Sequence, residues 1–400
     1  MTTTKNNEDK KLNFLSGREQ SQACLNSAEH EKNQGRKVLN VPNLRFPEFQ
    51  GEWENCKLGD LCNVLMCKRI LASQTNTEEG VPFYKIGTIG NAPDAYISKE
   101  LFDDYKTKYN YPHKGEVMIT CAGTVGKCVI YDGKDAYYQD SNIVWIDNPS
   151  QCISNSFLYH LLAKVDWRKL NSTTIIRIYN DDLRNLKLSY PQIEEQQKIS
   201  RLLSLLDERI ASQNKIIDKL QSLIKGIAQN IVRNNKPNVR LSECLECKSS
   251  TLQESDVCEH GTYPVYGANG IIGYLDNYNT EGEAVYIIKD GSGVGTVSYV
   301  TGKCSATGTL NTLQAKKGYS LQYLYYLLKV FNFEPYKTGM AIPHIYFKDY
   351  GKAKVFCPSY TEQLQYARLL SAIDNKLSIE QNILTELSLQ KQYLLRQMFI

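Results

Sequence analysis

The fold of this chain is decided by residues 191–233, which read PQIEEQQKISRLLSLLDERIASQNKIIDKLQSLIKGIAQNIVR. Hydrophobic residues recur there in alternating steps of four and three, which is typical of the heptad seam of a helix that packs against another helix. The seam consists of Ile199, Leu203, Leu206, Ile210, Gln213, Ile217, Leu220, Ile224, Ile227 and Ile231. A helix of about 40 residues is roughly 60 Å long, too long for one small domain to cover. The stretch therefore predicts a partner helix.

The chain contains that partner, because the same pattern returns at residues 358–400. A shift without gaps that moves Pro191 onto Pro358 also aligns Gln196 with Gln363. The second seam consists of Tyr366, Leu370, Ile373, Leu377, Glu380, Leu384, Leu387, Lys391, Leu394 and Met398. The two stretches therefore form a repeated helix.

The direction of the two helices follows from the linker after the first one. Residues 234–238 read NNKPN, which is too short to carry the chain back along about 60 Å. The second helix must then run back along the first, which predicts an antiparallel two-helix coiled coil that holds two globular regions apart. Glu380 of one seam aligns with Gln213 of the other. This polar pair either fixes the register of the helices or lies at a solvated point of the seam.

The globular regions repeat as well, each as strands separated by glycine turns. Residues 115–120 match residues 282–287, and a glycine turn follows each strand. We therefore predict an α+β fold with a pseudo-two-fold internal repeat. The predicted boundaries are residues 1–40 for a disordered polar tail, 41–190 for the first sheet-rich domain, 191–234 for the first helix, 239–357 for the second sheet-rich domain and 358–400 for the second helix.

Composition and charge narrow the classes of function. The net charge of +4 and the isoelectric point of about 8.3 permit nucleic-acid binding without requiring it. The sequence has no apolar run long enough to span a membrane, and its first residues lack the apolar centre of a signal peptide. These features predict a cytoplasmic protein.

The twelve cysteines raise the question of a metal site. Cys244, Cys247, Cys258 and His260 together resemble part of a zinc site, but only one Cys-x-x-Cys pair is present. The alternative is a set of reduced, partly buried thiols. We predict the thiols and no bound metal.

No catalytic or cofactor site is predicted. Residues 290–295 read DGSGVG and follow a strand, as in a dinucleotide-binding loop. That loop must open a helix, whereas residues 296–300 read TVSYV, which is typical of a strand, so a hairpin turn is predicted. The sequence has five histidines, and none is paired with a nucleophile at the spacing of a known motif.

The polar residues around the turns suit contacts with DNA. Tyrosine is abundant, with 27 residues against 11 phenylalanines, although tyrosines also fill and border ordinary sheets. Amides read adenine, basic side chains read guanine, and threonine contacts the thymine methyl group. The candidate DNA-binding residues are Lys85, Thr88, Thr120, Thr124, Lys127, Tyr138, Gln139, Asn142 and Arg177 in the first domain, and Tyr266, Asn269, Lys289, Ser292, Thr296, Thr307, Asn311 and His344 in the second.

From about residue 41 onward, the chain resembles the specificity (S) subunit of type I restriction–modification systems. The likeness rests on two unlike sheet-rich domains, each followed by a long helix that opens Pro-x-x-x-Glu-Gln, and on the lead-in VPNLRFP at residues 41–47. The second opening has Thr361 and Leu364 where the first has Glu194 and Gln197. The tail before residue 41 has no place in the pattern.

The resemblance implies a division of labour. Each globular half is then a target recognition domain that reads one half of a split, asymmetric sequence in double-stranded DNA, and the helices fix the gap between the halves. Two methyltransferase subunits dock on the helices and carry S-adenosylmethionine, and restriction subunits join the full complex. The subunit itself is then no enzyme and binds no cofactor.

Two other classes of function fit parts of the sequence. A non-catalytic adaptor would use the same coiled coil to join two protein-binding domains and would need no DNA surface. An enzyme would place its chemistry on the glycine turns and would bind a nucleotide. Binding that weakens steeply with salt separates the DNA reader from the adaptor.

Overall fold

The structure, a computed structural model, describes residues 39–169 and 177–400. The predicted tail lies outside the described residues except for its last two. Of these, Asn40 donates its side-chain amide to the Trp53 carbonyl at 2.6 Å and accepts from the Trp53 backbone N–H at 2.8 Å. Asn40 is therefore bonded to the first globular region.

The chain forms two compact units. One unit contains the described residues up to Leu203 together with Gln392–Ile400, and the other contains Ser204–Lys391. The divisions fall inside the long helices, so each unit includes part of both helices rather than leaving them as a separate body. The boundaries predicted from the sequence remain predictions.

The first unit is built mainly from short strands. They are β1 (Glu54–Lys57), β2 (Asn63–Leu65), β3 (Thr75–Asn76), β4 (Val81–Tyr84), β5 (Tyr96–Ile97), β6 (Val117–Thr120), β7 (Cys128–Ile130), β8 (Tyr137–Tyr138), β9 (Ile143–Asp147) and β10 (Lys187–Tyr190). The helices that accompany them are α1 (Leu58–Leu61), α2 (Lys99–Lys108), α3 (Asn155–Lys164) and α4 (Asn180–Arg184), followed by the long helix α5 (Ile193–Arg233).

Among the described residues, the strands of the first unit form three sheets. One has the order β2-β9-β6-β7 and is antiparallel throughout, and another has the order β3-β5-β4-β8. In the second of these, β4 and β8 pair in parallel. The third sheet pairs β1 with β10 and so joins the start of the domain to the strand that leads into α5.

The second unit repeats this construction. Its strands are β11 (Val239–Arg240), β12 (Leu245–Ser249), β13 (Tyr263–Gly267), β14 (Gly270–Leu275), β15 (Ala284–Ile288), β16 (Val297–Val300), β17 (Ser305–Ala306), β18 (Leu310–Ala315) and β19 (Lys354–Val355). Its helices are α6 (Leu241–Cys244), α7 (Leu321–Val330), α8 (Phe347–Tyr350) and the long helix α9 (Tyr360–Gln397).

Sheet topology confirms the internal repeat. The order β12-β18-β15-β16 matches β2-β9-β6-β7, and the pair β11-β19 matches β1-β10. The sheet β14-β13-β17 again contains one parallel pair, β13 with β17, as β4 with β8 does in the first unit. The predicted α+β class with two sheet-rich domains is therefore confirmed.

The two long helices are in contact within the second unit. Asp207 of α5 pairs with Lys391 of α9, and Gln213, further along α5, donates to the Glu380 carbonyl at 3.0 Å and to the Glu380 carboxylate. Because the partner number falls as the α5 number rises, the helices run antiparallel there. Between them lie buried apolar residues such as Leu377. A coiled coil in the strict sense remains a prediction.

The core of the first unit includes the end of the chain. Trp53, Phe157 and Phe399 form an aromatic cluster with ring centroids 5.0–6.4 Å apart. Phe399 is 4% exposed, in the same cluster of buried residues as Leu203 at the start of α5. The three tryptophans of the chain, Trp53, Trp145 and Trp167, are all buried in this unit.

None of the helices in residues 39–169 and 177–400 combines the length and the apolar character needed to cross a membrane.

Candidate nucleic-acid interface

The site begins at the turn that joins β6 to β7 in the first unit. The backbone N–H of Gly126 donates to the Thr120 carbonyl at 2.8 Å, and the Thr120 hydroxyl accepts from the backbone N–H of Lys127 at 3.0 Å. Gly126 has φ +83°, and a Cβ there would lie 2.1 Å from the Trp167 ring. Glycine is therefore required at this position, and the turn is held in one conformation.

Side chains of the turn reach the loop that follows β4. Thr124 donates its hydroxyl to the Ile86 carbonyl at 3.1 Å, and Lys127 donates its ammonium group to the Ile89 carbonyl at 2.6 Å. In that loop the Thr88 hydroxyl accepts from the backbone N–H of Lys85 at 3.0 Å. The structure thus brings four predicted residues, Lys85, Thr88, Thr124 and Lys127, into two adjoining loops.

Two further segments, which contain Asn142 and Arg177, are joined to the start of the same turn at Cys121. The backbone N–H of Cys121 donates to the Asn142 carbonyl at 2.7 Å, and the N–H of Ile178 donates to the Cys121 carbonyl at 2.9 Å. The Arg177 guanidinium donates to the Ser141 carbonyl at 3.1 Å. Burial raises the pKa of the Cys121 thiol to about 12, so this cysteine is a neutral structural residue.

The second unit makes the same connections at the end of β15. The backbone N–H of Lys289 donates to the Thr309 carbonyl at 3.0 Å, and the N–H of Ile345 donates to the Lys289 carbonyl at 2.9 Å. These bonds match those of Cys121, so Lys289 corresponds to Cys121 and Thr309 to Asn142. His344 beside Ile345 then corresponds to Arg177 beside Ile178.

The turn after β15 is the hairpin that the sequence predicts. It joins β15 to the antiparallel strand β16, so no helix opens at the glycines. The backbone N–H of Gly291 donates to the Pro343 carbonyl at 2.9 Å, which places the turn next to the loop that contains His344. Ser292 and Thr296 are exposed on this turn, and Asn269 is exposed between β13 and β14.

Four of the residues predicted to contact DNA have buried side chains, which contradicts the prediction for them. Thr120, Tyr138, Thr307 and Asn311 are all less than 5% exposed. The Thr307 hydroxyl bonds the Thr309 hydroxyl at 2.8 Å, the Asn311 amide donates to the Tyr350 hydroxyl at 3.1 Å, and Tyr138 stacks on Tyr84 at 5.8 Å. These side chains are used within the fold, so they shape the surface and do not contact DNA directly.

The register of the sheet explains the error at Asn311. Asn311 of β18 pairs with Ile287 of β15, just as Val144 of β9 pairs with Ile119 of β6. Asn311 therefore lies at an inward position of its strand. The structural counterpart of Asn142 is not Asn311 but Thr309, two residues earlier. The two-residue offset moves the position from the segment before β18, where Thr309 lies, into the strand itself, where Asn311 is buried.

The remaining predicted residues differ in exposure. Gln139 and Tyr266 are half-buried at the ends of the parallel strand pairs, and the Gln139 Oε1 atom has no hydrogen-bond partner among the described residues. Tyr266 packs against Tyr286 with ring centroids 5.6 Å apart. Asn142 and Lys289 connect segments through their backbone and leave their side chains half-exposed.

Sequence reasoning missed a pair of exposed tyrosines. Tyr179 and Tyr346 are 61% and 47% exposed at matching places in the repeat. The Arg177 guanidinium lies 5.9 Å from the Tyr179 ring, and the His344 and Tyr346 rings are 5.1 Å apart. The Ile-Tyr dipeptide that both halves share was the available signal. An exposed aromatic ring beside a cationic or imidazole group is a suitable surface for a base or a sugar.

The possible zinc site does not assemble. Among the described residues, no group of three or more His, Cys, Asp or Glu side chains is close enough to hold a metal ion. Within that part of the chain, every cysteine is a free thiol.

Comparison with known proteins points to one family. A family model described as the type I restriction modification DNA specificity domain matches residues 50–222 and again residues 235–389. A putative type I restriction enzyme specificity subunit of Haemophilus influenzae is 48% identical over 169 residues, which are 42% of this chain and 43% of that protein. The chain thus aligns with less than half the length of this relative.

Two further likenesses cover most of the chain. A putative type I specificity subunit of Mycoplasma genitalium is 26% identical over 368 residues, which are 84% of this chain and 94% of that protein. The crystal structure of an S subunit from M. genitalium superposes with a TM-score of 0.63 at 18% identity and covers 90% of this chain and 99% of that one. The structural match supports the fold.

Proposed function

This chain belongs to the type I restriction–modification DNA specificity family, and we propose that it selects the DNA sequence on which such a complex acts. One observation carries the proposal: the family model matches twice, once on each sheet-rich region, and both regions share a strand order and a set of hydrogen bonds. Each unit then reads one half of a bipartite target in double-stranded DNA.

The two half-sites should differ, because the candidate contacts differ. Arg177 in the first unit is replaced by His344 in the second, and Asn142 by Thr309. Arginine reads guanine through two hydrogen bonds, whereas a histidine offers a different donor and acceptor pattern. The target is therefore asymmetric.

The proposed partners are those of the family. Two methyltransferase subunits dock on the long helices, and restriction subunits join the full complex. The helices carry exposed apolar side chains that suit docking, among them Leu205 and Leu223 on α5 and Ile379 and Leu389 on α9. The methyltransferase subunits supply S-adenosylmethionine and the chemistry, so this subunit acts without a cofactor and without catalysis, in the cytoplasm.

The test is reconstitution with the cognate methyltransferase subunit, followed by sequencing of the methylated DNA. We expect two short, unlike sequences separated by a constant unspecified gap. Methylation at a single continuous sequence would overturn the bipartite proposal.

A salt titration of DNA binding by the same complex separates this function from that of an adaptor. Affinity should fall steeply with salt, because phosphate contacts release counterions. A complex that binds DNA no more tightly and with no more sequence preference than the methyltransferase subunit alone would favour the adaptor.

A further inference from the structure

The glutamine at the opening of the first long helix is buried and fully bonded. Gln196 in α5 is 0% exposed. Its Oε1 atom accepts from the backbone N–H of Ser154 at 2.8 Å, and its Nε2 atom donates to the carbonyls of Pro191 and Cys152 at 2.8 Å each. Ser154 is the N-cap of α3, the helix that closes the first sheet-rich region. The side chain thus joins the start of α5 to the start of α3.

The second long helix opens in the same way. Gln363 in α9 is 2% exposed. Its Oε1 atom accepts from the backbone N–H of Ser320 at 2.9 Å, and its Nε2 atom donates to the Pro358 carbonyl at 2.9 Å. Ser320 is the N-cap of α7, the counterpart of α3. The same glutamine connection therefore occurs independently in both units.

The neighbouring glutamate shows that this agreement is specific to the glutamine. Glu195 forms a bidentate ion pair with Arg45 of the lead-in, in which the Arg45 Nε and Nη2 atoms donate to the two carboxylate oxygens at 2.8 and 2.7 Å. Glu362 instead accepts from the Ser359 backbone N–H at 3.1 Å and from the Ser359 hydroxyl at 2.7 Å, which caps its own helix. The glutamate has a different partner in each half, whereas the glutamine accepts from the N-cap serine of the closing helix in both halves.

The hydrogen bonds of these glutamines constrain the direction of each long helix, which apolar packing alone does not. The apolar contacts around each helix start are non-directional and tolerate small rotations. An amide that accepts from one fixed N–H and donates to a fixed carbonyl specifies both the position and the angle of the helix. Loss of the amide leaves a buried N–H and a buried carbonyl without partners, so the connection is also costly to break.

We infer that Gln196 and Gln363 are positioning residues that fix the direction in which each long helix leaves its recognition unit, and so fix the gap between the two half-sites. This inference rests on the proposed function. Neither glutamine is accessible to DNA, since both are buried; they act through the helices they orient.

The test uses the intact complex with the methyltransferase subunit and a DNA library. The library carries both half-sites at the natural gap and at gaps one base pair shorter and longer. Gln196→Ala and Gln363→Ala are compared with Gln196→Met and Gln363→Met, which keep the side-chain volume without the hydrogen bonds. The exposed neighbours Gln197→Ala and Gln365→Ala serve as matched controls.

Methylation at the altered gaps relative to the natural gap should rise about tenfold in the alanine and methionine variants, with both half-site sequences unchanged. The controls should behave like the unsubstituted protein. If an alanine variant does not fold, the methionine variant of the same residue gives the answer.

Two results would overturn the inference while the proposed function stands: a lower melting temperature with no change in gap preference, or a changed half-site sequence at the natural gap. If the complex that contains the unsubstituted protein methylates no bipartite site, the proposed function fails, and the inference falls with it.

Discussion

At the residue scale, two matching exposed tyrosines mark the candidate surface. Tyr179 has the Arg177 guanidinium nearby, and Tyr346 has the His344 ring nearby. Each pair precedes a short helix and is tied to the end of a central strand through Ile178 or Ile345. The positions are therefore defined by the fold, while the side chains differ and can specify different bases.

Replacement of either tyrosine should affect one half-site only. We expect Tyr346→Ala to weaken discrimination in the half-site read by the second unit by about 1–3 kcal/mol, the range for a good base contact. Tyr179→Ala should do the same for the other half-site. Methylation of a library with single-base changes measures both effects, with exposed Tyr360→Ala as the control. A uniform loss over all sequences would assign the tyrosine to the DNA backbone instead.

The type of residue in the turns could be read from the sequence, but whether its side chain is exposed could not. Turn residues such as Thr124, Ser292 and Thr296 are exposed, because glycine turns lie at the surface. Thr120 and Thr307 look the same in the sequence, yet the fold uses their hydroxyl groups internally. Only the three-dimensional contacts, such as the hydrogen bonds of these hydroxyl groups to Lys127 and Thr309, separate the two classes.

At the scale of elements, the turn between β6 and β7 requires glycine at position 126. Gly126 and Gly115 both have positive φ, at +83° and +93°, but only at Gly126 would a Cβ meet another residue. The comparison of the two separates backbone strain from steric conflict.

We expect Gly126→Ala to lower the free energy of unfolding by about 2–4 kcal/mol, from strain and the clash with Trp167 together. Gly115→Ala should cost only about 1 kcal/mol, from strain alone. Urea unfolding followed by circular dichroism measures both. Equal costs would show that the Trp167 contact contributes nothing.

The polar pair between α5 and α9 predicts a dependence on pH. A hydrogen bond from Lys376, with a second from Gln213, lowers the pKa of the buried Glu380 below its ordinary value of 4.5. A lowered pKa means that the folded state favours the charged form. Its stabilisation is complete above about pH 4.5 and is lost as the pH falls through the folded-state value.

Glu380→Gln should remove this contribution. We expect the variant to be less stable than the unsubstituted protein near neutral pH, and the two should converge as the pH falls through the lowered pKa of Glu380. The measurement is the urea midpoint as a function of pH, and Glu386→Gln, exposed on the same helix, is the control. A stability difference that stays constant with pH would exclude ionisation of Glu380 as its cause.

At the scale of the whole molecule, the last residues belong to the unit that begins the chain. Phe399 packs on Trp53 and Phe157, so the first unit depends on residues that follow the second in sequence. The heptad seam predicted that the second helix returns, because its apolar face needed a partner. The aromatic contact at its end was beyond sequence reasoning, since Phe399 lies outside the seam.

Phe399→Ala should lower the stability of the first unit by about 3–5 kcal/mol, the usual cost of removing a buried phenylalanine. Hydrogen–deuterium exchange should then become faster around Trp53 and α3. Ile400→Ala, half-exposed at the next position, is the control and should leave exchange unchanged. Faster exchange confined to the second unit would contradict this assignment.

All three tryptophans lie in the first unit, so the tryptophan fluorescence of the protein reports on that unit. Indole emission excited at its red edge comes from that unit alone, and the second contributes only tyrosine signal. The two readers can therefore be followed separately in unlabelled protein: a shift in indole emission when half of the target is offered would report which half the first unit engages.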